Sequence, residues 1–431
     1  MSTHATDQAA TVAPESTTAP PVLYPHPQLV LWTVCLIGLL SVAGVALPYP
    51  ILAPLFAAAE HNDINHWLGL APTLLFGIAL AANPLGILAG SAVLGALSDS
   101  YGRRPVLLGA LLLAVLGYCL SAVAIAAEQY LWFVLARFLT GLCEGSISIA
   151  RAIAADLHPQ IDRTKAIAWI NAALYGGWLV GPLVGGFTLQ YGADVPFFIA
   201  AATMLPCLAL VYFLLPKPQG QPPTQPFWQS IAAHNSLQLL KLPQLRWVVL
   251  IQLCYTLGLN TFYEFYPLWL VQAEQFSGRD IGLITAALCL VMVTVSVGPM
   301  SHYSHAYPPL RGALMATLML AALVALLPLQ QGLPAWLLLV GAGVPIAMMG
   351  TWFNVYCAER FDSLGQGRLM GMLTLLMCTG NVITALVGSW IALFGVRWTL
   401  WCGAICIAVA SGLLLVQQRQ HDLTLANSEH P

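Results

Sequence analysis

Twelve stretches of this 431-residue chain are each long and apolar enough to cross a lipid bilayer, and that feature leaves few folds open. They run over residues 29–52, 70–96, 106–126, 130–152, 166–190, 195–215, 246–271, 280–300, 310–328, 333–357, 368–393 and 396–416. A hydrocarbon core of about 30 Å takes about 20 apolar residues of helix. Inside lipid no water satisfies backbone N–H and C=O groups, so runs of this length are helices. Soluble domains carry about 25% charged residues; here the figure is 7%, against 59% hydrophobic. A net charge of −2 without a basic patch offers nothing to a nucleic acid. The expected fold class is an all-α membrane protein with twelve transmembrane helices.

The polar segments between the runs set the organisation. Residues 216–245 hold Pro216, Pro218, Pro222, Pro223, Pro226 and Pro243 with Lys217 and Lys241, and divide the runs six and six. We expect a disordered tail over 1–27, a six-helix bundle over 28–215, a central loop over 216–245, a second bundle over 246–416 and a tail over 417–431. Residues 1–27 lack Lys and Arg, so no cleavable signal peptide is expected. With an even number of crossings both termini share a side. If that side is the cytoplasm, Arg103, Arg104, Arg151, Arg163, Lys165, Lys217, Lys241, Arg246, Arg311, Arg360, Arg368 and Arg419 lie there. Only Arg279 and Arg397 fall outside, and Arg137 lies within the fourth run. The bias of basic loops toward the cytoplasm then places both termini inside. Short loops point to a bacterial inner membrane. The ten cysteines lie in or at the ends of apolar runs without metal-ligand spacing, and the ten histidines lie in tails and loops. We expect no metal site, no cofactor and no histidine relay. Neither a phosphate loop nor a nucleophile triad occurs, so neither an enzyme nor an ATP-driven pump is expected.

Residues 95–108 read G-A-L-S-D-S-Y-G-R-R-P-V-L-L. Gly95 suits a close helix approach and Gly102 a tight reversal. Asp99 can accept hydrogen bonds from Arg103 or from a helix N-terminus. The segment resembles the loop between helices 2 and 3 of the major facilitator superfamily, with Gly95, Leu97, Asp99, Gly102, Arg103, Arg104 and Leu108 in place. The resemblance implies two pseudo-symmetric six-helix bundles around a central cavity, working by alternating access. It also implies a conformational latch made by Gly95, Asp99, Gly102, Arg103 and Arg104, with Asp156 at the end of the fourth run. The counterpart between the eighth and ninth runs keeps only Gly298, Ser301 and Arg311.

The fifth run contains G-G-W-L-V-G-P-L-V-G-G over 176–186. Small residues at 177, 181 and 185 let a neighbouring helix approach at backbone distance. Pro182 removes one intrahelical hydrogen bond and bends the helix. The pattern resembles the helix-5 signature of proton-coupled drug antiporters, carried by Gly177, Gly181, Pro182, Gly185 and Gly186, and implies export.

Charges inside the runs are costly in lipid and face a cavity or a partner. Arg137, Glu144 and Arg151 are spaced by seven, which puts them on one helix face with Thr140, Gly141 and Ser148. Neighbours in that series are about 10 Å apart along the axis, too far to pair directly. Arg137 and Gly141 match the family's fourth-helix pattern, a segment implicated in proton transfer; Glu144 and Arg151 are outside it. Glu264 sits among Asn260, Tyr263, Phe265, Tyr266 and Trp269 in the seventh run, a setting suited to an amphipathic cation. A structural ion pair for Glu144 and an interfacial position for Glu264 are the competing readings. The first run holds no acid, so Glu144 and Glu264 are the candidate proton carriers. Asn171, Tyr175, Trp352, Asn354 and Asn381 are second-rank cavity candidates. The expected function is a monomeric proton-coupled antiporter that exports a small amphipathic molecule such as a drug, a siderophore or another secreted metabolite. The alternative is an uptake permease for a small anionic solute anchored by Arg137 and Arg151.

Overall fold

The computed structural model describes residues 24–58, 62–216, 239–240, 242–300, 307–361 and 366–429. The expected tail residues 1–23, most of the central loop, and Ser301 lie outside the described residues. Among the described residues, twelve helices are long and apolar enough to span a membrane: α1 Pro27–Ala57, α2 Pro72–Gly95, α3 Arg103–Ala126, α4 Tyr130–Asp156, α5 Ala168–Tyr191 and α6 Val195–Leu214, then α7 Pro243–Glu274, α8 Gly278–Val297, α9 Pro309–Leu329, α10 Leu333–Cys357, α11 Gly371–Ala392 and α12 Val396–Gln420. The protein is an all-α, multi-pass integral membrane protein.

The interruptions have local causes. Pro48 and Pro50 break α1 into Pro27–Ala46 and Tyr49–Ala57. Gly102, at φ +91°, turns the chain from α2 into α3, a conformation that glycine adopts without strain. Ser277 and Asp280 close a reciprocal capping box at the start of α8. The last helix runs on to Glu429, well past the expected end at 416.

The packing repeats between halves. In the first, α1 packs on α5, α2 on α4, and α3 on α4 and α6. In the second, α7 packs on α11, α8 on α10, and α9 on α10 and α12. Across the junction α5 meets α8 and α2 meets α11, two contacts that exchange under the same pairing of halves. This is the pseudo-symmetric pair of six-helix bundles.

The fifth-helix glycines serve two interfaces. A Cβ on Gly177, Gly181 or Gly185 would overlap the carbonyl oxygens of Leu39, Ala43 and Leu47 on α1. Gly186 instead lies against Gly278 and Gly282 of α8, and Gly282 also meets the Pro182 carbonyl. One motif therefore builds the first bundle and joins it to the second. Other cross-bundle contacts lie in the same half of the membrane. Gly77 of α2 abuts Ala385 and Ser389 of α11, and Phe76 meets the Phe265 ring at 6.0 Å. These contacts extend from mid-membrane toward the face opposite the chain ends. Toward the face that carries the ends, Arg151, Tyr175 and Asn354 are exposed, Tyr175 by 53%.

Candidate functional site

The site begins where α2 crosses α4 at backbone contact. Gly86 and Gly141 leave no room for a Cβ on either side, and the crossing carries Asn83 to the inner face of α4. Asn83 Nδ2 donates to Glu144 Oε2 at 2.9 Å and to Thr140 Oγ1 at 3.3 Å. From α3, the Tyr118 hydroxyl donates to Glu144 Oε1 at 3.0 Å. Gly44 on α1 makes space for that hydroxyl, since a Cβ there would overlap it. Glu144 is 3% exposed, and each carboxyl oxygen has a donor.

Arg137 is also buried and donates to Thr140 Oγ1 at 3.5 Å, the long end of hydrogen bonding. It lines a cavity of about 20 Å³, room for a single water, with Tyr49, Asn83, Pro84 and Asn381. The expected single face of three charges is divided: α4 turns at Gly145, Glu144 and Arg137 are buried, and Arg151 is exposed beside Tyr175.

On the second bundle Glu264 is 1% exposed. Thr384 Oγ1 donates to its Oε1 at 3.3 Å, and Oε2 has no hydrogen-bond partner. This is not an interfacial glutamate. Thr384 opens a π-helical turn, Thr384–Gly388, of the kind that recurs at functional positions in helices. Asn260 Nδ2 ties α7 to the Met377 carbonyl of α11 at 3.2 Å, and the Tyr266 hydroxyl bonds Thr285 of α8 at 2.5 Å. Tyr263 reaches Met292 Sδ at 3.3 Å. Its ring stacks at 5.9 Å on Trp178 of α5, which stacks at 6.2 Å on Tyr49 of α1. An aromatic column therefore crosses from one bundle to the other.

Several expected residues lie elsewhere. Trp269 lines a separate recess at the far end of α7. Trp352 packs on Gly312 of α9, so it does not line the central cavity with Arg137. Asn171 is half-buried and Asn354 exposed, without a contact to either glutamate. Conversely, Asn83, Tyr118, Tyr49, Trp178 and Thr384 were not legible as site residues. Asn83 alone carried a signal, as an amide beside a proline within an apolar helix.

Residues 95–108 and the end of α4 occupy the face of the chain ends. Arg103 Nε donates to Asp156 Oδ2 at 3.3 Å, and its Nη1 to Ser98 Oγ at 3.0 Å. Arg104 donates to the Tyr212 carbonyl at 2.6 Å and lies over the Tyr212 ring. The Asp99 side chain lies outside the described residues. A Cβ on Gly95 would meet nothing within 4 Å, so the close approach expected there is not made. Tyr24 joins the cluster: its amide and carbonyl pair with the Gln160 side chain, both at 2.9 Å. Burial, then the Asp156 charge, pushes its phenol up to about 12.

Two repeated bundles, a cross-bundle polar cavity and the Gly102–Arg103 turn agree with one family, and residues 34–384 match the Major Facilitator Superfamily profile. The chain belongs to the major facilitator superfamily. Members are transporters, and the chain is similar to several named for drug resistance. It is 36% identical to the class B tetracycline resistance protein of Escherichia coli over 181 residues, 41% of this chain and 42% of that protein. The chain thus spans less than half the length of that relative. It is 22% identical to multidrug resistance protein 1 of Bacillus subtilis (strain 168), over 80% of this chain and 90% of that one. The fold superposes on the human organic anion transporter MFSD10 with a TM-score of 0.65 at 20% identity, covering 90% of this chain and 100% of that chain.

Proposed function

We propose that this superfamily member is a proton-coupled antiporter that exports a small amphipathic molecule. The observation that carries this reading is Glu264, a buried carboxyl at the bundle junction with one oxygen unpartnered. A bare polar oxygen in a dry site costs a few kcal/mol, on the order of 1–3, until a proton or a ligand's cation occupies it. The neighbouring rings Phe265, Tyr263 and Trp178 offer faces to an aromatic or cationic ligand. Proton and substrate compete for Glu264, so the bundles reorient with one or the other, and that exclusion is the coupling. Glu144 is the second acid, and Arg137 sets its charge balance from about two helical turns away. Arg103 and Asp156 form the latch. The similarity to tetracycline and multidrug resistance proteins supports export of amphipathic compounds. The basic-loop count supports cytoplasmic termini in a bacterial inner membrane, so the face with the exposed Tyr175 is the inner one and the conformation faces inward. The proton gradient is the energy source, no cofactor is used, and the unit is a monomer.

The test uses inside-out vesicles with an acid interior and a pH-sensitive dye. Lipophilic cations, neutral drugs and iron-chelating carboxylates are added in turn. The expected result is compound-dependent proton release that is lost in Glu264→Gln and in Glu144→Gln. Uphill export retained in Glu144→Gln removes Glu144 from the mechanism, and export retained in both variants overturns the coupling.

A second reading, uptake of a small anion, rests on Arg137 lining the cavity and Arg151 exposed beside Tyr175. Competition by anions but not by lipophilic cations would favour it.

A further inference from the structure

The recess that takes Trp269 away from the central cavity has its own chemistry. It lies at the face opposite the chain ends, where the end of α7 meets the start of α12. Trp269, Gln272 and Ala273 line one side, and Phe394, Gly395, Val396, Arg397 and Trp398 the other. Its volume is about 290 Å³, and it is partly open to the surroundings.

The charged and polar side chains on its walls, Arg397, Gln272 and the Trp269 indole, are hydrogen-bond donors or can act as one. The Trp269 side chain is 2% exposed, yet its indole N–H has no hydrogen-bond partner. An indole nitrogen donates only, so nothing but an acceptor can satisfy it. Arg397 is exposed, and among the described residues it makes no ion pair. Gly395, at φ +126°, turns the chain so that the first turn of α12 borders the recess, and that turn contains no acid. The leading amides of a helix are free donors and favour an anion; the Trp398 amide is taken by the Gly395 carbonyl at 3.0 Å, so the donors here are those of Val396 and Arg397. The nearest acid on α7, Glu274, is engaged elsewhere, accepting the Gly332 amide at 2.8 Å. The rim is apolar: Phe394, Trp398 and nearby Trp390 are all more than half exposed. Exposed aromatic rings at a helix end are the mark of the membrane–water interface.

We propose that this recess binds the phosphate of an anionic lipid headgroup, with the Trp269 N–H, the Arg397 guanidinium and the first amides of α12 as donors. The phosphate supplies acceptors for the orphaned indole, and the acyl chains lie along the exposed rings. A net-negative headgroup fits better than a zwitterionic one, because no carboxylate lines the recess to receive a headgroup cation.

The experiment is native mass spectrometry and thermal unfolding of the full-length protein in neutral detergent, titrated with phosphatidylglycerol, phosphatidylcholine or inorganic phosphate. Phosphatidylglycerol should be retained and should raise the unfolding temperature more than phosphatidylcholine. Arg397→Gln should weaken that binding by roughly tenfold or more, as for loss of a charged hydrogen bond. Trp269→Phe keeps the ring, removes the N–H, and should weaken it by a smaller factor, while Arg397→Lys should restore part of the loss. Equal phosphatidylglycerol binding by the wild type and the Arg397→Gln/Trp269→Phe double variant overturns the proposal. So does an equal, Arg397-dependent shift with inorganic phosphate alone, which would assign the site to a soluble anion.

Discussion

Glu144 and Glu264 are both buried mid-helix glutamates, but the first bundle surrounds its acid with donors and the second does not. The difference begins with how closely the backbones approach. At the α2–α4 crossing, glycines bring two helices into contact and place Asn83 and Tyr118 on separate oxygens of Glu144. At Glu264, Thr384 reaches a single oxygen and the other has no partner. The Asn83 Oδ1 beside Glu144 is itself unpartnered, so the contrast lies in the carboxylates: both oxygens of Glu144 are held by donors, whereas one oxygen of Glu264 stays open to a new partner. The two acids therefore divide into a braced centre and an available one.

The variant that most directly breaks this contrast is Glu264→Gln. We expect uphill transport to fall to the level of empty vesicles, with folded protein retained in the membrane; vesicle flux and detergent gel filtration check both halves. Next comes a stability comparison. Glu144→Leu strands the Tyr118 hydroxyl and the Asn83 amide, at about 1–3 kcal/mol for each donor left unpaired. Glu264→Leu removes a poorly satisfied group and should be close to neutral. Equal losses in a thermal-unfolding assay would erase the distinction between the acids.

The space around Glu144 gives a finer test. Gly44→Ala should cost about 1–3 kcal/mol by overpacking against Tyr118. Tyr118→Phe in the same chain should recover part of it, a coupling that a double-mutant cycle measures. A smaller effect is expected for Thr384→Val, about 0.5–1.5 kcal/mol for one neutral hydrogen bond. The smallest stability change belongs to the Arg103–Asp156 pair: Arg103→Gln removes a largely exposed pair worth about 0.2–1 kcal/mol. Because the Tyr24 phenol is pushed up to about 12, it keeps its proton at every pH below its ordinary value of 10.0. Tyr24→Phe should thus leave the pH profile of transport unchanged below that point, which flux measured across a pH series would check.

What was legible in the chain was what depends on near neighbours in sequence. Run length settles whether a segment spans, and the Gly102 turn and the 177/181/185 spacing are periodic features that survive folding unchanged. The glycine at 186 was legible as part of a motif, but not as a contact with a different bundle. Trp269 was grouped with Glu264 because five residues separate them; more than a full helical turn along the axis carries it instead to a recess at the membrane interface. Seven-residue spacing suggested one environment for Arg137, Glu144 and Arg151, yet the turn at Gly145 and the neighbouring helices leave only the last exposed.

By itself the amino-acid sequence determined twelve membrane helices in two sets of six, because an apolar helix of sufficient length has no other stable place for its surface and its backbone. It also determined which glycines permit contact and which acids lie in the membrane. Only the tertiary structure decided that Asn83 and Tyr118 brace Glu144, that Tyr49, Trp178 and Tyr263 form one column, and that Glu264 keeps a bare oxygen. The physical reason is the same for each: a polar group's partner in a dry interior comes from another helix, and which helix that is depends on packing between residues far apart in the chain.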